Sequence, residues 1–120
     1  MLDAVECVPT FGVDPDTVQG FVAGGYGALT ESIEGAEDDD KAGRALIAEL
    51  EISECDVVIG IAASGRTPYV IGALKAANAA GAATAAVTCN QPAPMLDVAQ
   101  IEIPAVVGPE IIAGSTRLKS

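Results

Sequence analysis

Val57-Val-Ile-Gly-Ile-Ala-Ala-Ser-Gly-Arg-Thr-Pro-Tyr-Val70 changes its character at Ser64-Gly65. Val57 to Ala62 is apolar without alternation, which predicts a strand buried in a parallel sheet. Ser64-Gly65 predicts a tight turn, and a helix opens at Thr67-Pro68. Threonine is a good N-cap and proline suits the first helical position. The first N–H groups of a helix have no partner inside it, and the helix dipole there favours negative charge. A strand, a small-residue turn and a helix N-terminus in that order therefore suit an anion. Ser64 adds a hydroxyl, Gly65 room for the backbone and Arg66 a forked cation, so the expected guest is a phosphate. The bland alternative is a strand–helix turn that holds nothing.

Working outward, strand and helix signals alternate. The helix is predicted over Thr67 to Ala80, with Gly81 at its C-terminal boundary. Ala83 to Thr88 reads as the next strand, Asn90 to Pro94 as a loop, Met95 to Ala99 as a short helix and Ile101 to Ile103 as a last strand. Upstream, Gly20 to Gly24 reads as a short buried strand. Ala28 to Ala36 and Lys41 to Leu50 read as helices around the acidic corner Glu37-Asp-Asp-Asp40. Gly108-Pro109 breaks the chain, and Gly114-Ser-Thr116 looks like another helix start. This alternation predicts an α/β fold, a parallel sheet with helices on both faces. Ligands of such sheets bind at the carboxyl ends of the strands, where Ser64-Gly65 and Cys89-Asn90 fall.

The 120 residues suit one domain, and half of them are hydrophobic. The apolar set is mostly Ala, Val and Ile, which favours close helix–sheet packing. A net charge of −11 leaves no basic stripe for nucleic acid or an acidic membrane surface. The same acidity suits a salt-adapted host. No apolar run reaches spanning length, and the acidic N-terminus does not read as a signal peptide. The chain has no histidine, so acid–base work would fall to carboxylates, Lys, Tyr or Cys. Cys7, Cys55 and Cys89 are odd in number and far apart, as expected of reduced thiols in a cytoplasmic protein. No metal site is expected.

Gly60 to Thr67 also spells G-x-x-x-x-G-R-T. A nucleotide P-loop needs lysine where Arg66 stands, and arginine does not replace that point charge. Among the carboxylates, Glu6 lies between Val5 and Cys7 just before a proline-containing turn, a setting that would desolvate it and raise its pKa. Glu34 and Glu37 would share a helix face. An acidic run such as Glu37 to Asp40 is more often a solvated helix end. Ser115-Thr116-Arg117 reads either as a second anion site at a helix start or as a plain cap.

The wording of the chain carries a further signal. Leu2-Asp-Ala-Val-Glu-Cys-Val-Pro-Thr-Phe-Gly12 resembles a segment of the N-acetylmuramic acid 6-phosphate etherases, with Val8 where that family has proline. Ala23-Gly-Gly, Gly27-Ala-Leu and Glu34-Gly-Ala-Glu-Asp38 are similar to the family's next block, and Gly60 to Gly72 to its most distinctive one. Cys89-Asn90, Val106-Val-Gly-Pro-Glu110 and Gly114-Ser-Thr-Arg-Leu-Lys119 follow in the family's order.

The resemblance implies the sugar isomerase (SIS) fold, a three-layer flavodoxin-like arrangement that is incomplete here. Residues 1–120 would form a partial SIS domain cut at both ends. A glycine- and serine-rich phosphate loop and a first strand would precede it, and helices would follow. The implied reaction cleaves the D-lactyl ether of N-acetylmuramic acid 6-phosphate in cytoplasmic cell-wall sugar recycling. The products are N-acetylglucosamine 6-phosphate and D-lactate. The implied state is a homodimer without cofactor or metal. By motif match, Glu37 and Glu6 take the places of the family's catalytic glutamates. Glu37 would be the acid that helps lactate leave and Glu6 a second acid–base group, with the division of roles open. Ser64, Gly65, Arg66, Thr67, Ser115 and Thr116 would hold the phosphorylated amino sugar. The alternative is a non-catalytic sugar-phosphate-binding SIS module or an inactive fragment.

Overall fold

A computed structural model describes residues 1–116 and 118–120. It contains α1 (Leu2–Phe11), α2 (Asp40–Glu49), β1 (Val57–Ile61), α3 (Pro68–Ala79), β2 (Ala83–Thr88), α4 (Pro94–Val98) and β3 (Ile101–Pro104). The chain divides into two compact units, Met1–Ile33 and Glu34–Ser120.

In the larger unit the strands form a parallel sheet in the order β1-β2-β3. Gly60 pairs with Ala86 and Ile61 with Val87, so the carboxyl ends of β1 and β2 lie side by side. The expected α/β class and parallel sheet are present. Strand alternation turns Val58 and Gly60 toward α3, while Val57, Ile59 and Ile61 face the other way and are exposed. Ile101 and Ile103 are exposed too. The helices α3 and α4 lie against one face, around a core of Leu74, Ala86, Ala93, Met95 and Leu96. Leu74 is 0 % exposed, a burial worth roughly 1.5–3 kcal/mol. Ile47 of α2 joins Ala73, Ala77 and Ala82 in a second cluster, so α2 packs along α3. Glycine at 60 permits this closeness, because a Cβ there would lie 2.6 Å from Val70 Cγ1 and 2.9 Å from Leu74 Cδ1.

A polar network ties α3 to the sheet. Thr84 is fully buried in β2, and its Oγ1 donates to Asn78 Oδ1 at 2.8 Å. The same hydroxyl oxygen accepts from the Gln100 N–H at 3.1 Å. Asn78 Nδ2 donates to the Val98 carbonyl at 2.8 Å. Buried polar groups are tolerated when paired in this way.

Several expectations fail. Gly20 to Gly24 is not a strand: no second strand offers it a ladder in its unit, and Phe21 is exposed. The chain instead enters a 3₁₀ turn, Gly25–Leu29. Ala28 to Ala36 is not a helix: Ala28 and Leu29 close the Gly25–Leu29 turn, and Gly35, with a left-handed φ of 74°, precedes a second 3₁₀ turn, Ala36–Asp38. Gly114 to Thr116 does not open a helix, and the Ser115 N–H donates back to the Ile112 carbonyl at 3.1 Å, as in an isolated turn. At the N-terminus, the expected proline turn is the interior of α1, which runs through Pro9 and ends at Gly12.

Thr84→Val should keep the shape and β-propensity of the residue while leaving the Gln100 N–H and Asn78 Oδ1 without their buried partner. A loss of about 1–3 kcal/mol in urea unfolding is expected. An unchanged midpoint would mean that the network adds no stability.

Candidate functional site

The turn after β1 is held from several sides. The Ala62 N–H donates to the Val87 carbonyl at 3.1 Å, and the Cys89 N–H to the Ala63 carbonyl at 3.0 Å. Thr88 is almost fully buried, and its Oγ1 donates to the Ala63 carbonyl at 3.1 Å while accepting from the Asn90 N–H at 3.2 Å. Asn90 Nδ2 reaches the Ser64 carbonyl at 3.4 Å. Gly65 donates to the Ala62 carbonyl and accepts from the Met95 N–H, each at 3.0 Å. Its φ is 65°, and a Cβ there would lie 2.5 Å from Ala93 Cβ and 2.6 Å from Thr88 Oγ1. Glycine is required at 65 by both conformation and space.

From this turn α3 begins. The Thr67 carbonyl accepts from the Ile71 N–H at 3.1 Å, and Pro68 occupies the first helical position as expected. The Thr67 side chain makes no cap hydrogen bond, contrary to expectation. Its ψ of 112° carries the chain into the helix, but the hydroxyl does not meet the first-turn N–H groups. Among the described residues, no acceptor meets the N–H groups of Tyr69 and Val70. Ser64 Oγ accepts from the Arg66 N–H at 3.3 Å, closing a small loop ahead of the helix. The Arg66 side chain is exposed and makes no ion pair among the described residues. Around the start of α3 the groups left without a partner among the described residues are therefore the Arg66 guanidinium, the Thr67 hydroxyl and the N–H groups of Tyr69 and Val70, since the Gly65 and Arg66 N–H groups are used within the turn. Partial burial pushes the Tyr69 phenol above its ordinary pKa, so Tyr69 is neutral at pH 7.

Glu37 sits exposed in the 3₁₀ turn Ala36–Asp38, which contacts α3. Glu34 lies outside any helix, before the left-handed Gly35 that precedes the 3₁₀ turn, so it shares no helix face with Glu37. The rest of the acidic run caps and pairs. Asp39 accepts from the Ala42 N–H at 3.0 Å as the N-cap of α2, and Asp40 pairs with Arg44 at 3.1 Å. Glu6 lies on α1 of the other unit. It is exposed rather than desolvated, since α1 buries no residue. Ser115 is half-buried and Thr116 exposed, near the C-terminus. Arg117 lies outside the described residues.

Near Ser115, Glu110 organises the last residues. Its Oε1 accepts from the N–H groups of Leu118, Lys119 and Ser120 at 3.4, 3.0 and 3.2 Å. The Lys119 hydrogen bond is the largest influence holding this carboxyl below the ordinary glutamate range.

Thr88, Asn90 and the Met95 N–H were not singled out from sequence as parts of the turn. The available signal was the position of Cys89-Asn90 at a strand's carboxyl end. Among the described residues, no three His, Cys, Asp or Glu side chains group as metal ligands would. Nor is any helix among them long and apolar enough to cross a membrane.

A parallel α/β sheet with a strand–turn–helix junction at its carboxyl edge is an architecture whose ligands bind at that edge. Residues 5–78 match the family model described as the glucokinase regulatory protein N-terminal SIS domain, and the chain belongs to this SIS-domain family. It is also similar to N-acetylmuramic acid 6-phosphate etherase 2 of Enterococcus faecalis, with 57 % identity over 120 residues. The etherase of Pectobacterium atrosepticum is 56 % identical and that of Oenococcus oeni 55 % identical. Each alignment takes in 100 % of this chain and 40 % of the relative. The chain thus spans about two-fifths of the length of the curated relatives it matches.

Gly65→Ala should lower stability by about 1–3 kcal/mol through left-handed strain and the contacts with Ala93 and Thr88. It should also abolish any phosphate-dependent rise in melting temperature. A variant that melts and responds to phosphate as the parent does would remove the turn from the site.

Lowering the pH should release the C-terminal residues. The folded pKa of Glu110 lies below its unfolded one, so its hydrogen bonds hold above the unfolded value and are lost as pH falls through the folded value. The Leu118, Lys119 and Ser120 amide resonances should titrate with a midpoint below the ordinary glutamate range. Glu110→Gln should remove that titration, and its persistence would assign the effect elsewhere.

Proposed function

We propose that this chain carries a substantial part of an N-acetylmuramic acid 6-phosphate etherase, a carbon–oxygen lyase of cell-wall sugar recycling. The observation that carries the reading is similarity along every residue of the chain to proteins named for this activity, 57 % identical in one case. The donor turn supports it. Ser64 and Thr67 offer hydroxyls and Arg66 its guanidinium to the 6-phosphate, Gly65 keeps the turn free of a side chain, and the open N–H groups of Tyr69 and Val70 add the helix dipole. The hydroxyls of Ser115 and Thr116 are proposed as further donors to the same sugar phosphate.

In the proposed reaction one carboxylate takes the proton from the carbon next to the sugar aldehyde. The electron pair forms a carbon–carbon double bond as the ether bond to the D-lactyl oxygen breaks. A protonated carboxyl gives its proton to that oxygen, and D-lactate departs. Water then adds across the double bond to yield N-acetylglucosamine 6-phosphate. Glu37 is proposed as the acid and Glu6 as a second acid–base group. The reaction requires no metal or organic cofactor. A homodimer in the cytoplasm completes the proposal.

A non-catalytic sugar-phosphate-binding module of the same fold is the competing reading, since the matching family model carries a regulatory protein's name. The etherase names of the relatives favour catalysis. Purified chain should release D-lactate from N-acetylmuramic acid 6-phosphate, and Glu37→Gln should release it about 10²- to 10⁴-fold more slowly. Equal rates in the two proteins would reject the role of Glu37. Calorimetric binding of the sugar phosphate with no lactate from the parent chain would reject the etherase reading in favour of the binding module.

A further inference from the structure

The helices α2 and α3 meet at two glycines, each lying against the other helix's backbone. Gly43 is buried in α2, and a Cβ built on it would collide with the Tyr69 carbonyl and stand 3.1 Å from the Ala73 nitrogen. Gly72 is buried in α3, and a Cβ built on it would collide with the Asp40 carbonyl. The contact is therefore reciprocal, and any side chain at either position must separate the helices. Glycine is a poor choice inside a helix by propensity alone, and each of these two helices holds one, where they touch.

What hangs from this crossing is specific. Asp40, which meets Gly72, is the first residue of α2 and follows its N-cap, Asp39. Glu37 lies two residues before that cap, in a 3₁₀ turn that contacts α3. On the other helix, Tyr69, which meets Gly43, lies in the first turn, two residues beyond Thr67. Gly72 follows one turn later. The two backbone contacts thus join the segment bearing Glu37 to the segment bearing the phosphate donors, with no long side chain between them. Backbone-to-backbone contact leaves little slack, because packed interiors are not continuously deformable.

We propose that Gly43 and Gly72 are positioning residues that set the placement of Glu37 relative to the Ser64–Thr67 turn. This rests on the etherase reading for its kinetic consequence, though not for its structural one. Alanine at either site favours each helix by propensity, so helix formation is retained while the axes move apart. The donor turn is held separately, by Thr88, Asn90 and Met95, and stays in place.

The test compares Gly43→Ala, Gly72→Ala and, as a control on the exposed side of α3, Lys75→Ala. In ¹H–¹⁵N spectra both glycine variants should shift the Ala36, Glu37, Asp38 and Asp39 amides in the same sense. The Ala63 to Thr67 amides should stay near their parent positions, and Lys75→Ala should move neither group. In lactate-release assays kcat should fall about 10- to 100-fold with KM within about twofold, the signature of a misplaced catalytic group on an intact binding turn. Unmoved 36–39 amides, or a loss of melting temperature with kcat unchanged, would overturn the proposal. A parent chain that releases no lactate would refute the etherase reading, while the amide shifts would still decide the positioning claim.

Discussion

Close seating of α3 is the constraint on which the larger unit depends. Gly60 lets α3 approach β1, Gly72 lets it approach the start of α2, and Gly43 completes that second contact from the other side. At all three points an added methyl group would fall within 3 Å of a neighbour. A composition rich in Ala and Gly and poor in aromatics is the chemical counterpart of this geometry. Thin layers bring backbones together and leave the fold little room for larger side chains. The position of α3 in turn decides where its N-terminus and the Ser64–Thr67 turn emerge.

Polar contacts then determine details that apolar packing leaves loose. Thr84, Asn78 and Gln100 join β2, the end of α3 and the entry to β3, far from the donor turn. Thr88 repeats the device at the other end of β2, where its hydroxyl ties the turn after β1 to the loop before α4. Both hydroxyls are buried and both are paired, so each adds specificity without leaving an orphaned group. The second of them supports the candidate site from beneath.

Much of the larger unit was legible in sequence. Lys41 to Leu50, Val57 to Ala62, Thr67 to Ala80 and Ala83 to Thr88 each fell within a residue of the observed bounds. These segments combine a clear apolar pattern with strong punctuation: an acidic cap, a Thr-Pro start or a glycine stop. The stretches before Glu37 were misread. Gly20 to Gly24 has the apolar content of a strand, yet a strand exists only with a neighbour to share hydrogen bonds, which composition does not reveal. Ala28 to Ala36 has helical residues at both ends, but Gly35 lies in the left-handed region. The exposure of Glu6 was likewise invisible, since local apolar neighbours do not predict which side of a helix is covered.

By itself, the sequence determined the α/β alternation, the strand–Ser64-Gly-Arg-Thr–helix turn and the absence of histidine chemistry. All three rest on residue types and on spacings of a few positions, where propensity and capping act. Tertiary structure alone decided that Thr88, Asn90 and the Met95 N–H hold that turn, that Thr67 does not cap it and that Asp39 caps α2. It also decided that two glycines twenty-nine positions apart would face each other's helix backbone. Such contacts depend on how rigid elements pack, and packing is settled by the combined shape of surfaces that no short stretch of chain contains.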